Sequence, residues 1–240
     1  MFACLCLERS ADARPGASSA LTRCRLQPGK TRSMNGSSTA LLVVDVQNDF
    51  AHPKGSLYVD GAEQIFPPLN AAIEWARSTG ALVVYSQDWH PPSTPHFKKD
   101  GGIWPVHCVQ NSWGAQLHDW LIRVPGETLR KGVAGEDGYS AFSFRHPVTG
   151  DIGETGLEKL LRARGVREVV IGGLALDYCV KETALDALRR GFPTTVLIDA
   201  TRPVELRPGD GERGLAELQQ SGARVVTSAA MDQAQYAGGP

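Results

Sequence analysis

Membrane-length apolar runs, a surplus of charge of either sign and a framework of paired cysteines are all missing from this sequence. Its longest apolar stretches, such as Ala40 to Val44 and Val169 to Ile171, fall far short of the ~20 residues that cross a bilayer as a helix. A membrane span is therefore excluded. Lys and Arg number 25 against 26 Asp and Glu, for a net charge of -1, so there is no basic footprint for nucleic acid. Of the five cysteines, Cys4, Cys6 and Cys24 precede the body of the chain. Cys108 and Cys179 remain, too few for a disulfide scaffold.

What is present is the balance of an ordinary globular protein: 240 residues, 42% hydrophobic and 21% charged, enough to bury a full core. No Ser/Gly-rich linker interrupts the stretch after residue 38, which favours one domain over residues 39–240. Residues 1–38 scatter Arg9, Arg14, Arg23, Arg25 and Arg32 among Ser, Ala, Gly and Pro. They carry no periodicity and read as a disordered extension. An Arg- and Ser-rich start is similar to an organelle transit peptide, but Glu8, Asp12, Pro15 and Pro28 interrupt any amphipathic helix. A dispensable extension with a functional start at Met34 is the preferred reading.

From residue 40 onward short apolar runs alternate with helical periodicity, the pattern of a parallel sheet covered by helices on both faces. Strands are predicted at Ala40 to Val46, Leu82 to Gln87, Glu127 to Arg130, Glu168 to Gly172, Thr194 to Asp199 and Arg224 to Thr227. The fold class is thus α/β, a three-layer sandwich around a six-stranded parallel sheet. Leu69, Ala72, Ile73 and Ala76 recur at i, i+3, i+4 and i+7, as do Val180, Ala184, Ala187 and Leu188, and both sets predict helices. Leu157, Leu160 and Leu161 mark a third helix, and Leu215 with Leu218 a fourth. Gly80, Gly165, Gly191 and Gly222 stand where left-handed helix stops are wanted. Trp75 and Trp120 fall on predicted helices and read as core. Asp88 to Trp113, rich in Pro, His and Trp, is expected to be a long functional loop.

Ligand crevices of open parallel sheets lie at the carboxyl ends of the strands. Asp45, Asp88 with His90, Lys131 and Cys179 all follow predicted strands and are expected to converge there. A thiol with an ordinary pKa of about 8.5 must lose its proton to attack a carbonyl. Asp45 is placed to take it, while Lys131 would favour both carboxylate and thiolate. Each has an ordinary explanation taken singly: an inert buried thiol, a strand-end cap, a solvated lysine. Asp45 resists dismissal, because it interrupts the apolar run Leu41 to Val46, where an unpaired carboxylate is costly. His90, His96 and His107 cluster in the loop beside Asp88, a mixed imidazole and carboxylate set that suits Zn, Fe or Mn better than Ca or Mg. His52, His118 and His146 read as surface or supporting residues, and Cys108 as a neighbour of a ligand.

The segments LLVVDVQNDF at 41–50, SQDWHPP at 86–92, WPVHCVQNSWGAQLH at 104–118, KG at 131–132, YSAF at 139–142 and GLALDYCVKETALDALRRGF at 173–192 resemble the nicotinamidases, of the isochorismatase-like cysteine hydrolases. The resemblance spans residues 40 to about 228. It implies metal-dependent hydrolysis of nicotinamide to nicotinate and ammonia in NAD salvage, through a thioester, by a cytoplasmic enzyme whose fold is compatible with a homo-oligomer. Asp45 would be the general base and acid, Lys131 its cationic partner and Cys179 the nucleophile. Asp88, His90 and His107 would bind one divalent transition ion, zinc ahead of iron or manganese, with His96 at a position that ligates in some members only. Phe50, Trp104 and Tyr139 would line the substrate pocket. The N–H groups of Ala175 and Cys179 would form an oxyanion hole beside a cis Leu174–Ala175 peptide. The sequence departs from the family at Leu176, where threonine is frequent, and in a short stretch between His90 and Trp104. The competing expectation is an isochorismatase-like hydrolase acting on another amide or a vinyl ether, and a non-catalytic relative is a third.

Overall fold

Six strands pair side by side into one parallel sheet; the inner strands are mostly buried, while the edge strands Glu127–Lys131 and Arg224–Val226 are partly exposed. In the computed structural model, which describes residues 35–231, these strands are β1 (Thr39–Val44), β2 (Leu82–Asp88), β3 (Glu127–Lys131), β6 (Glu168–Leu174), β7 (Thr194–Arg202) and β8 (Arg224–Val226). Their order across the sheet is β3-β2-β1-β6-β7-β8. Every residue of β1 is buried, as expected of a central strand covered on both sides.

Alternation along β1 divides the core. Leu41 and Val43 face the layer built by α2 (Phe66–Thr79), where Leu69, Ile73, Trp75 and Ala76 pack. Ala40, Leu42 and Val44 face the opposite layer with Leu157 and Leu161 of α3 (Leu157–Ala163), Ala184 and Leu185 of α4 (Lys181–Arg189) and Leu218 of α5 (Asp210–Gln220). A Leu41→Ala or Leu42→Ala change therefore removes packing on one specific face, at a cost of about 2–5 kcal/mol. Helix α2 opens with prolines in its first turn and stops at Gly80, whose φ is 75°. Gly165, Gly191 and Gly222 adopt the same left-handed backbone, as their spacing predicts.

Several boundaries differ from the sequence-based expectation for identifiable reasons. Strand β1 stops at Val44 because Asp45 turns to φ 49° and leaves the sheet. Strand β7 runs past Asp199 to Arg202, because a register shift against β6 lets Gly173 pair with Thr201 and Leu174 with Arg202. A short helix α1 (Asn48–Ala51) follows Gln47. An antiparallel hairpin of β4 (Ser143–Arg145) and β5 (Ile152–Glu154) was not predicted, since its strands are short and have no apolar alternation. Trp75 is core as expected, but Trp120 is not: it lies in a turn, is 64% exposed and rests against Phe66 and His118.

The expected disordered extension lies outside the described residues for positions 1–34. Positions 35–38 form a capped turn, with the Asn35 side chain accepting from the Ser37 N–H and the Thr39 hydroxyl donating to the Asn35 carbonyl. Among the described residues no helix is long and apolar enough to cross a membrane.

Candidate active site

The chain starts at the sheet centre in β1, winds outward through β2 to β3, then returns to the other side of β1 as β6 and winds out through β7 to β8. That reversal opens a crevice at the carboxyl ends of β1 and β6. Asp45 follows β1 directly. Asp88 ends β2 and Lys131 ends β3, and the two are register partners. Past β6 the Leu174–Ala175 peptide is cis, and Cys179 lies in the π-helical turn Leu176–Val180 that feeds α4. The sulfur thereby sits at the positive end of a helix.

Three distant stretches of chain do meet here. The Lys131 ammonium lies 2.9 Å from Asp45 Oδ2, off the direction of a hydrogen bond, and donates to Asp88 Oδ1 and, at 3.6 Å, to the Cys179 sulfur. Asp45 Oδ1 accepts from the Ser86 hydroxyl at 2.7 Å. The reactive atoms of Asp45, Asp88 and Cys179 lie within 4.8 Å of one another. All four residues are buried, Asp45 completely.

One ammonium shared by two carboxylates and a thiol cannot satisfy all three alike. For Asp88, burial pushes the carboxyl up, but Lys131 and the neighbouring imidazoles outweigh it and hold it well below the usual range. For Asp45, burial dominates, with the Asp88 charge adding to it and Lys131 only partly opposing, so its carboxyl is raised. Burial also pushes the Cys179 thiol well up, against Lys131 and with both aspartates. Lys131 stays charged: the two aspartates overcome its own burial and lift it well above the ordinary lysine value. Lys131 lowers the pKa of both Asp45 and Cys179, as its charge requires, but for each of them burial is the larger effect. Its charge goes first to Asp88, leaving Asp45 a stronger base beside a protonated thiol.

The loop after β2 gathers a second constellation. His90, His96 and His107, all buried, offer nitrogens within 4.8 Å of one another. Asp88 Oδ2, the oxygen turned away from Lys131, lies 3.8 Å from His90 Nε2 and 3.9 Å from His107 Nε2. His107 places Nδ1 2.7 Å from the Pro105 carbonyl, and burial lowers its pKa to about 4 despite the pull of Asp88. The ring is neutral at physiological pH, as a ligand must be. Both His90 nitrogens are buried without any hydrogen-bond partner. A buried orphan imidazole beside two others and a carboxylate oxygen fits a divalent transition ion, which would complete its valences. Gly132 makes room: its φ is 75°, and a Cβ there would come within 2.6 Å of His90 Nδ1.

A cavity of about 370 Å³ connects the two constellations, with Cys179 and Ala175 on one wall and His96 and His107 on another. Phe50, Trp104 and Tyr139 line it as expected. The Trp104 indole N–H donates to the Tyr139 hydroxyl at 3.0 Å, and Phe50 leans on His107 with ring centroids 5.4 Å apart. Leu176 is buried in the core on the α4 face. Cys108 is buried apart from the histidine trio, its N–H held by Asp49. His52 and His118 lie against each other with tilted rings and meet the surface tryptophans edge to face, Trp113 at His52 and Trp120 at His118, and His146 is exposed.

Sequence reasoning missed Tyr178, Leu57, Val59 and Val204 in the wall, Ser86 behind Asp45, and Asp137, whose Oδ1 lies 2.8 Å from His96 Nδ1. Ser86 was findable, since it shares a face of β2 with Asp88 at i, i+2. Tyr178 adjoins the nucleophile candidate and Val204 follows a strand, so position alone could have flagged both. Asp137 gives no local signal, because its partner is 41 residues away.

The Isochorismatase domain family matches residues 39–230. The nicotinamidase of Escherichia coli strain K12 is 37% identical over 213 residues, 82% of this chain and 98% of the relative. Among solved structures, PnC1 from L. infantum in complex with nicotinate superposes with a TM-score of 0.74 at 37% identity, over 82% of this chain and 96% of that one. The pyrazinamidase of Pyrococcus horikoshii in complex with zinc superposes with a TM-score of 0.69 at 38% identity, over 79% and 99%.

Proposed function

Since the chain belongs to the Isochorismatase domain family, we propose that it is a nicotinamidase, hydrolysing nicotinamide to nicotinate and ammonia with Cys179 as nucleophile. The observation that carries this reading is the placement of the Cys179 sulfur. It shares one aromatic-lined pocket with His96 and His107 and lies within reach of both Lys131 and Asp45.

In this cavity the pyridine ring lies between Phe50 and Trp104 with its carboxamide turned to the sulfur, so orientation supplies much of the rate. Asp88, His90, His96 and His107 would hold a divalent ion, zinc ahead of iron or manganese, which when bound supplies a Lewis-acidic anchor for a ring nitrogen. Asp45, its basicity raised by burial, takes the thiol proton as the sulfur attacks. Lys131 holds both groups in place and balances the thiolate. The backbone N–H groups of Ala175 and Cys179 stabilise the developing oxyanion. Asp45 returns its proton to the departing ammonia, leaving a thioester, and then activates water to release nicotinate. One carboxylate serves as base, acid and base again. A free nucleophilic thiol suits a reducing compartment, so the reaction is assigned to the cytoplasm, where it returns nicotinate for pyridine nucleotide synthesis.

The test is ammonia release by zinc-loaded protein from nicotinamide and from benzamide, which has the same carboxamide without the ring nitrogen. Rapid turnover of the first and a much lower kcat/KM for the second is the expected result. Equal turnover of both would refute the ring-anchoring role, and no release from nicotinamide would refute the reading as a whole.

A further inference from the structure

The three imidazoles differ in what stands behind them. His107 leans on a backbone carbonyl, and His90 has no hydrogen bond at either nitrogen. His96 alone is backed by a carboxylate, with Nδ1 2.8 Å from Asp137 Oδ1. The His96 side chain is buried while that of Asp137 is 49% exposed, so the carboxylate keeps water on its outer side and stays ionised at small cost.

Asp137 is itself held in place. Its backbone exchanges hydrogen bonds in both directions with Arg145 of the β4–β5 hairpin, and the Gly138 N–H donates to the same Oδ1 at 2.9 Å. The hairpin thus fixes a carboxylate behind one member of the trio. The His96 ring lies against the other two, with centroids 4.8 Å from His90 and 5.4 Å from His107.

We propose that Asp137 is a positioning residue for the metal: by accepting the Nδ1–H of His96 it leaves the lone pair on Nε2, strengthens that nitrogen as a donor and makes His96 a ligand. This rests on the reading that the histidine trio holds a divalent ion. A carboxylate behind a ligating imidazole fixes its tautomer and ring orientation and raises its basicity.

The test is a zinc titration of metal-free protein against a competing chelator. It compares the unsubstituted protein with Asp137→Ala, Asp137→Asn, His96→Ala and the double variant His96→Ala/Asp137→Ala. Asp137→Ala is expected to weaken zinc binding by roughly 10- to 100-fold. Asp137→Asn should weaken it less, since its amide oxygen still accepts the Nδ1–H. In the His96→Ala background the Asp137→Ala change should add nothing, because a residue acting only through His96 has nothing left to act on. Unchanged zinc affinity in Asp137→Ala, or the same loss in both backgrounds, overturns the inference while leaving the metal site standing. An unsubstituted protein that binds no zinc overturns the metal reading, and this inference with it. A general loosening of the fold would lower the thermal midpoint of metal-free Asp137→Ala and make the two losses additive, which also counts against it.

Discussion

The cluster at the sheet mouth and the histidine trio beside it are equally buried but differ in where their charges find partners. At the mouth, Lys131 is the shared partner of Asp45, Asp88 and Cys179, although Asp45 Oδ2 is left without a hydrogen bond. In the trio, His90 has no hydrogen-bond partner at either nitrogen, His107 has one on the backbone and His96 one on Asp137. One group holds its own cation in Lys131, and the other has imidazole nitrogens that a bound cation would satisfy. Asp88 belongs to both, giving one oxygen to Lys131 and turning the other to the imidazoles. The chemistry and the anchor are therefore separable in function, though they share a residue.

The sharpest way to separate them is to remove the sulfur. Cys179→Ala should lower kcat for nicotinamide by about 10⁴-fold or more while its bound zinc, measured by metal analysis, stays at the unsubstituted level. Loss of zinc together with activity would break the distinction. Next in size is Lys131→Met, which leaves two buried carboxylates without their cation. Removing one member of such a pair costs about 3–5 kcal/mol, read as a drop in the denaturant midpoint. Stability close to that of the unsubstituted protein would mean that the ammonium is not what holds the mouth together.

Chelation acts on the other side of the comparison. Removing zinc should lower the thermal midpoint and abolish its dependence on zinc concentration, since an ion bound only by the folded state stabilises by mass action. The pH dependence then sharpens the picture. His107 has a folded pKa of about 4 against about 6.5 when unfolded, so between these values the unfolded chain binds the extra proton. Stability of the zinc-free protein should be full above about pH 6.5 and decline as pH falls towards 4. Denaturant midpoints at several pH values read this directly, and a flat profile over that window would contradict a buried neutral imidazole. Smallest of all, Tyr139→Phe removes the acceptor of the Trp104 N–H and should cost about 1 kcal/mol, seen as a modest rise in KM without loss of zinc.

These two regions were also unequally legible in the sequence. The mouth was readable because its residues each stand at or just past the end of a predicted strand, and a carboxylate interrupting Leu41 to Val46 needs a reason. The histidines were readable as a cluster in a loop too polar and irregular to be core. What was not readable depends on distance in sequence or on weak local pattern. Asp137 contacts His96 across 41 residues, and the hairpin that pins it has short, half-exposed strands. Trp120 was misplaced as core because its spacing fits a helix that the chain does not form. The order in which Lys131 shares its charge was likewise beyond the sequence, since it turns on which carboxylate oxygen faces the ammonium.

The central claim is that sulfur, carboxylate and ammonium from three stretches of chain act together on a carbonyl. It is tested most directly by acid-quenching the enzyme during turnover of nicotinamide and mass-analysing the peptide that carries Cys179. A nicotinoyl adduct on that peptide, absent from Cys179→Ala, is the result this account predicts. Full turnover with no adduct under any quench time, or an adduct on Cys108 instead, would contradict it.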